Sequence, residues 1–353
     1  MSYPDYRLTT AFSRKTAFIF IFLIISLLLL FITDIITGSV KIPLSEIWKS
    51  IFSDYTLKPE WTIIIQDFRL PRAIVAVFTG MALAISGLGM QTYFRNPLAG
   101  PYVLGISSGA SLGVALLVMG MSLVSFHVTP GLSQWYIVIA AWIGAGMVML
   151  LILIVSVKIN DNTTILILGI LFGSITMAFV SILQYFSSET ELKAFIIWTL
   201  GSLGNVTRVQ LNVMLPSITA GIILAFLSVK SLNLLLLGEQ YAKTMGVNLQ
   251  ISRVMIFVST SILAGTVTAF CGPIGFIGIV VPHIARMIFL SSDHRILLPG
   301  SLFLGAVFMV ISDIISQLPG SQQILPINSV TAVLGVPVVI WIILKKQRVV
   351  RIN

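Results

Sequence analysis

Apolar residues run along this chain in long unbroken stretches rather than in alternation. Ten stand out: residues 16–36, 73–94, 103–124, 135–157, 163–186, 209–229, 254–271, 274–290, 297–316 and 325–344. Most carry no charge, and each approaches the roughly 20 residues that a helix needs to cross a bilayer. Lipid offers no partner for a backbone N–H or C=O, so such stretches must be helices or a closed barrel. Barrel strands would alternate apolar and polar positions in segments of about ten. Continuous runs therefore predict helices. An eleventh stretch, AFIIWTLGSLGNVT at 194–207, is too short and glycine-rich to cross, and is expected at an interface or folded back as a short helix. The fold class expected is an all-α polytopic membrane protein of about ten transmembrane helices, a single domain over 1–353.

Two connections are long enough to fold. The outer one, 38–72, contains an amphipathic piece, IPLSEIWKSIF at 42–52. The inner one, 231–253, starts with a leucine run and continues through Glu239, Tyr241 and Lys243 to a break at Gly246. That pattern predicts two short helices joined by a glycine turn along the membrane surface. Helical order in a cytoplasmic loop points to a docking surface.

Composition narrows the function classes. Hydrophobic residues make up 57% of the chain and charged ones 9%, where a soluble domain carries about 25% charged. A soluble enzyme is excluded. The net charge of +9 forms no basic stripe, so it reports topology. With the amino terminus in the cytoplasm and ten crossings, two-thirds of the Lys and Arg fall on the cytoplasmic side, which predicts both termini inside. Arg7, Arg14 and Lys15 precede the first run, which is longer than a signal core and lacks a small-x-small site, so a retained first span is expected. The single Cys271 has no disulfide partner, and His127, His283 and His294 are scattered, so no metal site is expected. No Walker A loop, zinc motif or nucleophile elbow is present. No catalytic residue is assigned, and energy must come from another chain or a gradient.

Glycine and proline are dense at 87–113 and at 270–286. Two readings stand side by side. Small residues let helices pack closely, or the helix breaks to line a cavity. One such region in each half also points, weakly, to an internal duplication and a transport path. Asp34 and Asp313 are expected near outer ends, within reach of water, in capping or helix-pairing roles. Arg286 is expected to snorkel to the headgroups, and His283 to be a packing residue. Nothing resembles a proton relay. A polytopic membrane enzyme would want clustered His, Asp or Glu, and none is visible.

These motifs together resemble the FecCD permease family, the membrane subunits of importers for iron–siderophore, haem and cobalamin driven by an ATP-binding cassette. The residues that carry the resemblance are RLPRAIVAVFTGMALAISGLGMQTYFRNPLAGPYVLGISSGASLG at 69–113, LNLLLLGEQYAKTMGV at 232–247, GPIGFIGIVVPHIARM at 272–287, DHRILLPGSLFLGA at 293–306 and LPINSVTAVLGVPVVIWIIL at 325–344. The resemblance implies ten helices, a dimer (a homodimer), two cytoplasmic ATPase subunits that hold ATP-Mg, no cofactor in this chain, a periplasmic or lipid-anchored binding protein outside, and the bacterial inner membrane. It places an ATPase coupling loop at 238–247, with Gly238, Glu239, Tyr241, Ala242, Met245 and Gly246. Arg69 and Arg72 take the place of binding-protein docking residues, the forked guanidinium being suited to carboxylates; interfacial anchoring is their simpler reading. The wall of the path includes parts of 87–113, with Met90, Gln91, Asn96, Ser107 and Ser108 as candidates. The chain departs from the family at 316–326, where Gln317, Gln323 and Ile324 replace charged residues, so the outer docking surface is expected to be less charged. The alternative reading is a stand-alone secondary carrier for a small organic solute, which would need its own coupling-ion site.

Overall fold

The computed structural model describes residues 14–52, 58–120, 133–156, 159, 161–317 and 323–350. Arg7, His127, the end of the third expected span at 121–124 and residues 318–322 lie outside the described residues. Fifteen helices follow in order: α1 (Arg14–Ile36), α2 (Leu44–Phe52), α3 (Pro59–Ile63), α4 (Leu70–Tyr93), α5 (Ile106–Ala115), α6 (Ser133–Ser156), α7 (Asn162–Phe186), α8 (Glu189–Thr199), α9 (Arg208–Leu227), α10 (Val229–Leu237), α11 (Glu239–Thr244), α12 (Leu249–Cys271), α13 (Ile277–Phe289), α14 (His294–Ser316) and α15 (Ile327–Val350). Among the described residues seven helices are long and apolar enough to cross a membrane, and three shorter apolar ones, Ile106–Gly120, Ile277–Phe289 and Ile327–Trp341, fill the remaining expected positions.

Polar side chains set several boundaries. Asp161 caps α7, Asn248 caps α12 and Asp293 caps α14, each accepting from backbone N–H groups of the first turn. Ser188 with Glu191, and Thr207 with Gln210, form capping boxes that start α8 and α9. Thus 194–207 is the end of a short folded-back helix and the turn after it.

The outer connection is more helical than its sequence predicts. α3 continues through a wide π-type turn (Ile64–Arg69) into α4, giving one helix over Pro59–Tyr93. Pro59 fits the first turn, and Ile65 is buried with Ile35, Ile42, Ile47 and Ala73. Glu60 and Asp67 keep this stretch from reading as a span.

α4 and α12 form the centre, with 72% of their most apolar windows buried, against 22% for α1 and 28% for α7. Glycine makes the closest contacts. A Cβ on Gly80 would lie 2.1 Å from the Gly305 carbonyl oxygen, and one on Gly87 1.8 Å from that of Gly278. Close packing is therefore the role of these glycines. The helices do break elsewhere, against protein. After α4 the chain turns through a 3-10 segment (Pro101–Leu104) into α5, and between α12 and α13 residues 272–276 are not helical. Cys271 Sγ lies 3.7 Å from Thr79 Oγ1, so α12 stops beside the middle of α4. The freed backbone there is satisfied internally: Tyr102 OH bonds both N and O of Ile274, Asn328 Oδ1 accepts from Gly275 N, and Cys271 O from Ser202 N.

Candidate functional site

The inner face is built around α10 and α11. α10 buries Leu232 and Leu235 and leaves Leu236 and Leu237 exposed. It is anchored by Asn233, whose Oδ1 accepts from His294 N (2.8 Å) and the His294 ring Nδ1 (2.7 Å), while its Nδ2 donates to Asp293 (2.6 Å). His294 Nε2 in turn lies 2.8 Å from the Thr92 hydroxyl oxygen. Arg95 Nη2 donates to Leu235 O at 2.8 Å. Arg253 ties the start of α12 to the Tyr93 hydroxyl and to the carbonyls of Ser156 and Ile159.

α11 is bounded by two glycines in conformations that other residues rarely adopt, Gly238 (φ 122°) and Gly246 (φ 84°). Ala242 is fully buried and fastens the helix, whereas Tyr241 and Met245 are 50% and 58% exposed. Gly238 and Glu239 are half-buried. Beside them lies a depression of about 720 Å³, whose walls include Arg95, Asp161, Asn162, Glu239 and Tyr241. Asp161 accepts from Thr163 and Thr164, and these bonds hold its carboxyl below the usual aspartate range. Asn162 Nδ2 donates to Glu239 Oε1 and, at 3.3 Å, to Tyr93 O. The six residues expected in a coupling loop thus sit on one short segment. Asn162, Asn233 and His294, which support it, have no local pattern that would single them out in sequence.

At the outer face the two arginines turn inward. Arg69 is buried and donates to the carbonyls of Ile35 (3.0 Å), Ile36 (2.9 Å) and Val40. Arg72 grips Asp313 through Nε (2.9 Å to Oδ2) and Nη2 (2.7 Å to Oδ1), and reaches Ser316 Oγ at 3.0 Å. Gln317 Nε2 bridges Asp34 (2.8 Å) and Asp313 (3.2 Å). Asp34 and Asp313 are 2% and 0% exposed, so neither reaches water, contrary to their expected place at the interface. Their position between α1, α4 and α14 makes them helix-pairing residues. Both arginines still border an outer depression of about 350 Å³, alongside Phe68, Asn205 and Ile324.

The path candidates fall on different surfaces. Met90 and Gln91 are buried, while Asn96, Ser107 and Ser108 are half-buried. Gln91 Nε2 donates to Ile279 O (3.0 Å), and its Oε1 accepts from Arg286 Nη1 (2.7 Å). Arg286 therefore turns toward α4, where Gln91 accepts its hydrogen bond, in place of the expected snorkelling. His283 Nε2 lies 3.1 Å from Pro97 O, fastening the turn after α4.

Comparison with known proteins places this arrangement. The family model of the FecCD transport family matches residues 25–345. The hemin transport system permease protein HmuU of Yersinia pestis is 36% identical over 327 residues, covering 92% of this chain and 95% of that protein. The vitamin B12 import system permease protein BtuC of Salmonella typhi is 36% identical over 287 residues, 81% and 85% of the two chains. A solved metal-chelate type ABC transporter in an inward-facing conformation is similar at TM-score 0.79 and 26% identity, over 93% of this chain and 99% of that one. PsaBC from Streptococcus pneumoniae, solved in complex with Fab, shares the fold at TM-score 0.53 and 17% identity over 79% and 92%. With a match running through nearly all of its spans and both helices of its inner face, this multi-pass membrane protein belongs to the FecCD transport family.

Proposed function

We propose that the chain is the permease subunit of an ATP-binding-cassette importer for an iron chelate, haem or cobalamin, worked by alternating access. The observation that carries this reading is α11. It is a short helix between two glycine turns, buried through Ala242 and offering Tyr241 and Met245 outward beside a depression. Two such segments, one from each copy of a homodimer, would receive the closing motion of two cytoplasmic ATPase subunits. Those subunits hold the ATP-Mg and perform the hydrolysis; this chain supplies the gate, with no catalytic residue, cofactor or metal of its own. The membrane is the bacterial inner membrane, with both termini in the cytoplasm.

The relatives named for hemin and vitamin B12 support a bulky chelate as cargo. Outside, a periplasmic or lipid-anchored binding protein would settle over the depression bordered by Arg69 and Arg72. In this reading the arginines shape that surface while their charge is largely engaged within. Asn96, Ser107 and Ser108 keep partial exposure and remain the candidates for the wall, whereas Met90 and Gln91 are buried. A secondary carrier is disfavoured, since the buried carboxyls Asp34 and Asp313 are bound up with Arg72 and Gln317.

Assembly tests the reading. Changing Tyr241 and Met245 together to Asp should abolish co-purification with the cognate ATPase subunit while leaving the thermal unfolding of the permease unchanged. Full retention of the ATPase by this variant would remove α11 from the interface.

A further inference from the structure

We propose that Asn162 is the positioning residue that clasps the coupling helix α11 to the start of α7, and that this clasp carries movement of α11 into α7. The proposal rests on the import reading above and names where the motion goes next.

The geometry divides the inner face into fixed and movable parts. α10 is fixed through Asn233, His294 and Arg95, all bonded to it or its neighbours at 2.6–2.8 Å. α11 is set off from α10 by Gly238 and from α12 by Gly246, and a Cβ on Gly246 would meet nothing within 4 Å. Backbone torsion at those two glycines can tilt α11 while α10 stays in place. Something must then link α11 to a helix that can respond.

α7 is such a helix. Only 28% of its most apolar window is buried. It meets its neighbours through glycine: a Cβ on Gly169 would lie 2.7 Å from Val103 O, and one on Gly173 3.3 Å from Ser108 Oγ. At these two points glycine stands where a larger side chain would interlock, although Ile165, Thr176 and Val180 are buried along the same helix. At its first residue, however, α7 is held firmly. The amide of Asn162 has two hydrogens, and both are used, one on the Glu239 carboxylate and one on Tyr93 O. Its Oδ1 is buried and finds no hydrogen-bond partner, so the Nδ2 contacts alone fix its orientation. Asp161 caps the same turn, which keeps the first residues of α7 helical, so that a pull on Asn162 acts on the whole helix. The bond to a carboxylate is the stronger kind.

Donor and acceptor can be exchanged to test this. Asn162→Asp sets two carboxylates against each other and breaks the clasp. Adding Glu239→Gln restores the bond between α7 and α11 in reverse, with the new amide donating to Asp, while the contact with Tyr93 O stays lost.

The permease is assembled with its ATPase subunits in vesicles, in a Cys271→Ser background, with a spin label on Ser174→Cys, an exposed position of α7. Accessibility of the label to a water-soluble relaxing agent is read without nucleotide and with ATP plus vanadate. The parent should shift between the two. Asn162→Asp should reduce the shifted fraction about tenfold, on the order of one hydrogen bond to a charged group, and Asn162→Asp with Glu239→Gln should recover it. A full shift in Asn162→Asp, no recovery in the double variant, or no shift in the parent would each overturn the proposal. Haemin and cyanocobalamin uptake by the parent vesicles is measured separately: uptake in the presence of a failed clasp leaves the import reading standing, and its loss with ATP present counts against that reading alone.

Discussion

Arg72 and Asp313 are separated by 241 positions in sequence and meet as a forked pair at the outer ends of α4 and α14. The side chains are 14% and 0% exposed, so removing one partner strands a charge away from water. Arg72→Ala should lower the unfolding free energy by about 3–5 kcal/mol, whereas Arg72→Met with Asp313→Leu should cost much less. Thermal melts in one detergent would check both; an Arg72→Ala variant as stable as the parent would contradict the pairing. The sequence marked both residues but not their partnership, since hydropathy places a charge near a span end and says nothing of what stands opposite. Arg286 is a similar case. Its place near an inner end predicts snorkelling, and only the packing of α13 on α4 reveals Gln91 as its acceptor.

At the scale of elements, glycine does two different jobs that composition cannot separate. Gly80 lies where α4 and α14 touch backbone to backbone, and Gly146 on α6 faces open space. Gly80→Ala should therefore destabilise by about 1–3 kcal/mol as an overpacked contact. Gly146→Ala should be neutral or stabilise by up to about 1 kcal/mol through helix propensity. Equal effects at the two sites would mean that the helix contacts are misplaced. The apolar helices were legible because lipid enforces long uncharged runs. The helical start over 59–69 was not, because its Glu60 and Asp67 mask a helix held by the buried Ile65 and Arg69 and their neighbours. The inner helix pair was legible from its leucines and glycines. Its support from Asn162 and Asn233 was not, since a lone Asn carries no periodic signal.

For the whole molecule the central claim is a division of labour, in which this chain forms the gate and a neighbouring ATPase moves it through α11. The family match covers 25–345, nearly the entire polypeptide. The most direct measurement is uptake of haemin or cyanocobalamin into vesicles holding the purified chain, with and without its ATPase subunits, the binding protein being supplied outside. The account predicts accumulation only when the ATPase subunits and hydrolysable ATP are both present, and none from an imposed proton or sodium gradient. Uphill accumulation by the chain alone, driven by such a gradient, would contradict it.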